Sequence, residues 1–470
     1  MKLSYVAIAA AALFTAACAV GPDYKRPKLA VPAAFRAPEP LPQTDTASLA
    51  DAKWFEVFRD EKLQELIRAA LAQNYDLRDA AARVEQARAN LGVTRSDQFP
   101  QVNATGAVEF TRLSRDGQLP LPKGFVTNQN RNWGLAGLNL LSYEIDLWGR
   151  LRRATEAARA NLLGAEENRK AVVSALVAEV AADYFQLLQL DYELEISQRT
   201  LETRRESLRL VHDRQGGGVA TLLDVRQAEE LVASAAQNIP VLRQQIEQSE
   251  NRISLLLGRN PADVTRGSNF MEQTVPPEVP AGLPSALLER RPDIRAAEQT
   301  LIAANANIGV AKAAYFPHIS LSGVLGGQST RLTSLFSGPN GAWTFVPEIS
   351  QPIFAGGRIK SGVKFAEADR DRALVAYERS IQTAFAETSD ALIAHQRTRE
   401  SRLEQEKLVT ALQDRKRLAY VRYRGGVDTQ LNALDADRDL FQAELALAQI
   451  RYGELLSVVQ LYKALGGGWQ

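Results

Sequence analysis

Asn90-Leu-Gly-Val-Thr-Arg-Ser-Asp-Gln-Phe-Pro100 is read a second time as Asn307-Ile-Gly-Val-Ala-Lys-Ala-Ala-Tyr-Phe-Pro317, 217 residues on. Farther along, Gly217-Gly-Val-Ala-Thr221 returns as Gly425-Gly-Val-Asp-Thr429, and Leu257-Gly258 returns as Leu465-Gly466, each 208 residues on. A period this long belongs to a duplicated module and not to a short solenoid repeat. The smaller second offset puts a longer insertion in the first copy. Each copy reads as helix, two strands, long helix, glycine turn, helix. The closing Phe-Pro of the quoted stretch marks where helix gives way to strand, because Pro100 and Pro317 cannot continue the helical hydrogen-bond ladder. Gly149-Arg150 and Gly357-Arg358 mark the return from strand to helix, where glycine supplies the permissive backbone.

From Leu151 to Asp213 there is no Pro and a single Gly, Gly164. The run is rich in Ala, Leu, Glu and Arg, which favour helix. A helix of about 60 residues would be roughly 90 Å long, far beyond the globular norm. Gly362–Tyr423 repeats it. Shorter helices are predicted after the glycine turns, at Leu222–Leu257 and Gln430–Leu465. Others are predicted upstream, near Asp76–Asp97 and Asp293–Tyr315, with Asp76 and Asp293 as N-caps.

In Gln101–Arg112, Val102, Ala104, Gly106, Val108 and Phe110 alternate with Asn103, Thr105, Ala107, Glu109 and Thr111. This is the period of a strand with one apolar face. Ile319, Leu321, Gly323 and Leu325 repeat the phase. Partner strands are predicted near Asn132–Asp146 and Ala342–Phe354, beyond loops at Leu113–Arg131 and Gly327–Gly341. Trp133 and Trp343 open matching strands, where a membrane interface would hold them. Strands of this length can cross a bilayer, but four cannot close a barrel, and lipid does not tolerate an open edge. Several chains would then share one barrel: two give eight strands, three give twelve, and twelve leave a lumen. A coiled coil with hairpin tips and no pore is the alternative that periodicity leaves open.

The chain has 470 residues, a net charge of +1 and 45% hydrophobic residues. Such a balance gives no electrostatic footprint for nucleic acid. No run of 18 uninterrupted apolar residues occurs, so no transmembrane helix is expected. Met1-Lys2, the apolar Val6–Phe14 and the small Thr15-Ala16-Ala17 read as a signal peptide over residues 1–17. Cys18 follows directly and is the sole cysteine. It resembles the lipidated cysteine of bacterial lipoproteins, although Thr15 stands where Leu is usual there. Ala19 after it favours the outer membrane in that group. Pro22, Pro27, Pro32, Pro38, Pro40 and Pro42 then predict an extended arm over residues 18–45.

Four stretches carry a wider resemblance: Cys18-Ala-Val-Gly-Pro-Asp-Tyr-Lys-Arg-Pro27, Leu147-Trp-Gly-Arg150, Leu283-Pro-Ser-Ala-Leu-Leu-Glu-Arg-Arg-Pro-Asp-Ile294 and Leu461-Tyr-Lys-Ala-Leu-Gly-Gly-Gly-Trp469. In this order they resemble the outer-membrane factors of the TolC/OprM type, over essentially the whole chain. The resemblance implies a mixed α and β membrane protein. It would be a homotrimer with a twelve-stranded outer-membrane β-barrel, four strands per chain, continued by a helical periplasmic barrel. An α/β equatorial belt would take in Thr46–Ala72 and Gly258–Arg291. The expected organisation is a first repeat over 46–257, with hairpin 101–146 and helix pair 151–257. A linker over 258–292 leads to a second repeat over 293–470, with hairpin 318–354 and helix pair 358–465. The implied role is the passive exit duct of a tripartite efflux pump, fed by a periplasmic adaptor and an inner-membrane resistance-nodulation-division transporter. Drugs and other small molecules are the implied cargo. Metal ions, or protein through a type I system, are the alternative cargoes, and a pore-less structural lipoprotein is the alternative class.

No catalytic constellation competes with this. His212, His318 and His395 lack metal-ligand spacing, and Gly216-Gly217-Gly218 lacks the Lys-Ser/Thr of a phosphate loop. No enzyme activity and no cofactor are expected, apart from lipid on Cys18. Leu431, Asp435 and Arg438 fall at i, i+4 and i+7 after the second glycine turn and share one helix stripe. A stripe of Leu, Asp and Arg is a poor core face and a plausible pore lining. By the resemblance, Leu431 and Asp435 constrict the periplasmic entrance, Arg438 and Tyr423 hold neighbouring helices, and Asp224 ties back to Tyr423. The first copy has Gln227 and Glu230 at the matching places, so the stripe is not duplicated. A solvated Asp435–Arg438 pair is the plainer reading.

Overall fold

The computed structural model describes residues 19–29, 31–37, 48–112, 130–273, 280–282 and 284–469. The signal peptide, Cys18, the later prolines of the arm (Pro38, Pro40 and Pro42) and most of the first hairpin loop lie outside the described residues. The main elements are α1 (Glu61–Gln73), α2 (Tyr75–Ser96), β1 (Val102–Arg112), β2 (Asn130–Glu144), α3 (Arg150–Gly216) and α4 (Leu222–Leu256). Then come α5 (Pro292–Ala313), β3 (His318–Ser329), β4 (Gly341–Ser350), α6 (Arg358–Arg424) and α7 (Gln430–Ala464). The order α2-β1-β2-α3-α4 thus returns as α5-β3-β4-α6-α7. Both long helices have 67 residues and both shorter partners 35. Pro100 and Pro317 stand between helix and strand. Gly149 and Gly357 stand just ahead of α3 and α6 with φ of +77° and +86°, a region glycine enters without the Cβ clash of other residues.

The N-caps differ from expectation. Asp76 lies inside α2, and Asn74 caps it by accepting the Leu77 N–H at 3.0 Å. Asp293 likewise lies inside α5, where its carboxylate takes Arg291 and the Ile294 N–H. One stretch of α3 is long and apolar enough to cross a membrane by length and composition, although it has no uninterrupted apolar run of that length; 56% of it is buried inside the protein, as a packed core helix is.

The chain divides into two compact units, each drawing on both copies. The first contains Met1–Pro27, Val84–Gly164 and Ala297–Ala376. Its sheet runs β1-β2-β3-β4, antiparallel throughout. The register aligns Ala104, Leu138, Leu325 and Trp343 in one row and Val102, Leu140, Gly323 and Phe345 in the next. Alternation puts both rows on one face, with Phe110, Ile319, Leu321 and Ile349. Asn103, Thr105, Asn139, Ser320, Ser322, Thr344 and Glu348 take the other. Trp343 is exposed on the apolar face, whereas Trp133 pairs with Glu109 on the polar face. The two tryptophans are therefore not equivalent, because they differ in strand phase. Between Leu140 and Tyr143 a bulge sets two residues of β2 against one of β3, which strengthens local twist.

The switches of the two copies grip each other. The Trp148 indole donates to the Pro317 carbonyl at 2.9 Å and stacks on Phe316, centroids 4.6 Å apart. The N-terminal arm adds to this. Ala19 packs so closely on Gly149 that a Cβ there would stand 2.7 Å from the Ala19 Cα. Val20 N–H donates to the Trp148 carbonyl at 2.9 Å. Pro22 accepts from the Asn305 amide, Asp23 pairs with Arg153 at 2.6 Å, and Arg26 with Glu298 at 2.6 Å. The arm is thus bound along α5, and Ala19 lies beside the strand-to-helix switch.

The second unit contains Lys28–Arg83, Ala165–Ala296 and Tyr377–Gln470. Leu63, Ile67, Tyr184, Leu187, Ile253 and Leu257 fill its core, each aliphatic burial of this kind being worth about 1.5–3 kcal/mol. Asp60 ties the segment between the copies into that core. Its carboxylate accepts the N–H groups of Lys62, Leu63 and Ser268 and the Gln273 amide, and the Tyr184 hydroxyl lies at 3.2 Å. Burial pushes this carboxyl up. The Gln273 amide and the three backbone donors outweigh burial and hold it below its ordinary value.

Candidate functional site

The glycine turns hand α3 to α4 and α6 to α7, and the residues around them belong to the second unit. Thr221 caps α4 by accepting the Asp224 N–H, while the Asp224 carboxylate accepts from the Thr221 N–H at 2.7 Å and from its hydroxyl at 2.7 Å. This reciprocal box satisfies two donors that a helix start otherwise leaves open. In the second turn Asp428 does related work. The Arg422 guanidinium, the Asn432 amide and the Thr429 N–H all donate to its carboxylate. Together they lower its pKa to about 2.

Leu431 and Arg438 are half exposed, and Asp435 is partly exposed. The opposite face of α7 is buried through Ala433, Ala436, Asp437, Leu440 and Phe441. The stripe therefore looks away from its own chain's packing. Arg438 pairs with Asp435 at 3.2 Å and lies 3.4 Å from Asp439, both on its own helix. Asp439, the next residue along, is met by Arg415 of α6 at 2.8 Å, which ties α7 to α6 within the chain. Tyr423 is buried under the Arg214 guanidinium, 4.6 Å from its ring centroid. Its hydroxyl donates to Gln430 at 3.4 Å, and the Gln430 amide donates to the backbone carbonyl of Asp224 at 3.1 Å. Asp224 and Tyr423 are joined, but through Gln430 and a main-chain oxygen, since the Asp224 carboxylate is occupied in its cap.

The sequence reading missed the strongest group here. Asp437 is 1% exposed and accepts from Arg204 of α3 at 2.7 Å; Lys416 of α6 lies at 2.5 Å from its other oxygen. Arg204 also donates to the Leu231 carbonyl of α4 and covers the Phe441 ring at 4.8 Å. Asp437 and Arg204 together thus link α3, α4, α6 and α7. A signal existed: Asp437 interrupts the apolar stripe Ala433-Ala436-Leu440-Phe441, and a charge in such a stripe needs partners. Beside this network lies a groove of about 750 Å³ walled by α3 and α6, with Arg214, Lys416, Arg417 and Arg424 facing it.

Other candidates are accounted for locally. His395 shares a hydrogen bond with Ser457 at 3.2 Å, and burial pushes its pKa down. His318 contacts Glu144 at 3.0 Å. Among the described residues no group of three His, Cys, Asp or Glu is placed to hold a metal.

The profile of the family described as outer membrane efflux protein matches residues 66–259 and 283–467. A Pseudomonas putida protein named as the antibiotic efflux pump outer membrane protein ArpC is 40% identical, the alignment covering 100% of this chain and 96% of that one. The cation efflux system protein CusC of Escherichia coli is 37% identical over 98% of this chain and 97% of its own. The open-state crystal structure of the MtrE outer membrane channel of Neisseria gonorrhoeae superposes with a TM-score of 0.85 at 33% identity, covering 96% of this chain and 99% of that one.

Proposed function

The chain belongs to the outer membrane efflux protein family, and from that premise we propose that three copies build the exit duct of a tripartite efflux pump. It is an outer-membrane channel protein and not an enzyme. One observation carries the assembly: a four-stranded sheet with one apolar face, whose outer strands β1 and β4 each keep one edge unpaired among the described residues. Lipid does not tolerate such edges. Pairing β4 of one copy with β1 of the next removes them, and three copies give twelve strands around a lumen. The helices α3, α4, α6 and α7 of the three copies would continue the lumen as a periplasmic tube. The repeats over 46–257 and 293–470 and the linker over 258–292 are the modules of this reading. Cross-linking of native outer membranes should give a ladder ending at trimer; one that stops at dimer would refute the arrangement.

The periplasmic adaptor and the inner-membrane transporter are the partners of this reading, since the relatives are named as parts of efflux pumps. The antibiotic-pump relative supports organic small molecules as cargo. The cation-efflux relative, similar over nearly the same length, keeps metal ions as a second cargo class, and protein export is a third. Deleting the chain and measuring the cell's tolerance to antibiotics and to copper or silver separates the first two.

Residues 1–17 are the export signal of this reading, and Cys18 is the lipid attachment site. The bound arm supports it: Ala19 sits beside Gly149, so an acyl group on the preceding residue would enter the bilayer where the strands leave it. Cys18→Ala should abolish labelling by a radioactive fatty acid. Undiminished labelling would exclude this site. A single acyl chain binds membranes only marginally, so efflux should be reduced rather than lost.

A further inference from the structure

Glu144, Ser320 and Glu348 stand side by side in one row of the sheet. Ser320 alternates with Ile319 and Leu321, so the row lies on the polar face. It carries two carboxylates per chain, and their surroundings differ. Glu144 is 13% exposed and held by two cationic or polar neighbours: Arg150 donates to it at 2.9 Å, and His318 meets its other oxygen at 3.0 Å. Arg150, His318 and Arg358 line a cavity of about 240 Å³ with Glu144. Glu348 does not line that cavity. It is exposed, and no ion pair or hydrogen bond to its carboxylate is found among the described residues. Its neighbours on the polar face of β4 are Val346 and Ser350, both uncharged.

We propose that Glu348 is a cation-selecting residue of the duct, separate from Asp435. This rests on the trimeric reading above, in which the polar face of the sheet turns to the lumen. Threefold symmetry would then ring the lumen with three unneutralised carboxylates at the level of this row, while the Glu144 carboxylates are matched by Arg150. A ring of carboxylates between low-dielectric walls raises the local concentration of cations and lowers that of anions. Three charges roughly 10 Å from the axis, screened at about 0.1 M salt, correspond to a roughly two- to fivefold effect on the cation-to-anion permeability ratio.

The test is the reversal potential of the full-length protein in a planar bilayer under a potassium chloride gradient. Glu348→Gln should lower the potassium-to-chloride permeability ratio by that factor, both in the parent and in an Asp435→Ala background. Glu348→Cys keeps the result independent of folding, because the channel is assembled before it is modified. A sulfonate-bearing thiosulfonate reagent should restore the ratio and a trimethylammonium one should lower it further. The parent serves as the labelling control for Cys18, its sole cysteine. A conducting channel whose ion preference ignores the charge at position 348 overturns this inference alone. A parent that assembles in the bilayer but passes no current overturns the duct reading, and this inference with it.

Discussion

Asp437→Ala should cost the folded chain about 3–5 kcal/mol, the usual consequence of removing one partner from a buried ion pair. Asp437 is 1% exposed, Arg204 3% and Lys416 24%. With the carboxylate gone, two cations remain and one of them is sealed from water. Arg204 cannot swing out to solvent without giving up the Leu231 carbonyl and the Phe441 ring. Asp439→Ala is the matched control. Its partner Arg415 is half exposed, and such pairs are worth about 0–1 kcal/mol. The urea midpoint of the purified protein should fall sharply for Asp437→Ala and hardly move for Asp439→Ala. Replacing Arg204, Lys416 and Asp437 together by apolar residues should recover much of the loss, because the desolvation cost disappears with the charges. Equal midpoints for the two single variants would show that the network is not what holds α7. The same substitution has a functional reading. Asp437 fixes the rotational phase of α7, and that phase decides where Leu431 and Asp435 point.

How much of this was readable without coordinates depends on how local the determinant is. Pro100, Pro317, Gly149 and Gly357 act through their own backbone chemistry, so the switches stand where the residues stand. The long helices follow from composition unbroken by Pro, and the sheet's apolar face from simple alternation in β1 and β3. The misplaced N-caps show the limit: Asn74 and Asp76 both suit a cap, and only the path of the chain chooses between them. Trp133 and Trp343 looked equivalent by position, yet a one-residue difference in phase sends side chains to opposite faces. Asp437 needed knowledge of which helices meet, since Arg204 and Lys416 lie 233 and 21 positions away in the chain. The Gln430 bridge between Tyr423 and Asp224 was hidden for the same reason, and half of it runs through a main-chain oxygen that no side-chain pattern reports.

Leu431→Ala combined with Asp435→Ala should raise single-channel conductance severalfold and weaken the preference for cations. Within one chain the plainer reading of this stripe holds: Asp435 is paired with Arg438 at 3.2 Å, an i, i+3 contact worth about 0.2–0.5 kcal/mol. That contact is too weak to explain a Leu, an Asp and an Arg set together on a face turned away from the chain's own core. Assembly gives the stripe a use. Three Leu431 side chains would narrow the entrance, and three Asp435 carboxylates would favour cations through it. Truncating both residues removes bulk and charge at once, while the buried face of α7, held by Asp437, keeps the helix in place. Cells carrying the double variant should become sensitive to large hydrophilic antibiotics that the parent excludes. Arg438→Ala alone tests the electrostatics without opening the entrance. It unmasks Asp435, so cation preference should rise while stability stays nearly unchanged. Conductance and ion preference that both match the parent in the double variant would mean that these residues do not gate the duct. The closure would then have to be sought where the helices are joined, at Tyr423, Gln430 and Asp224.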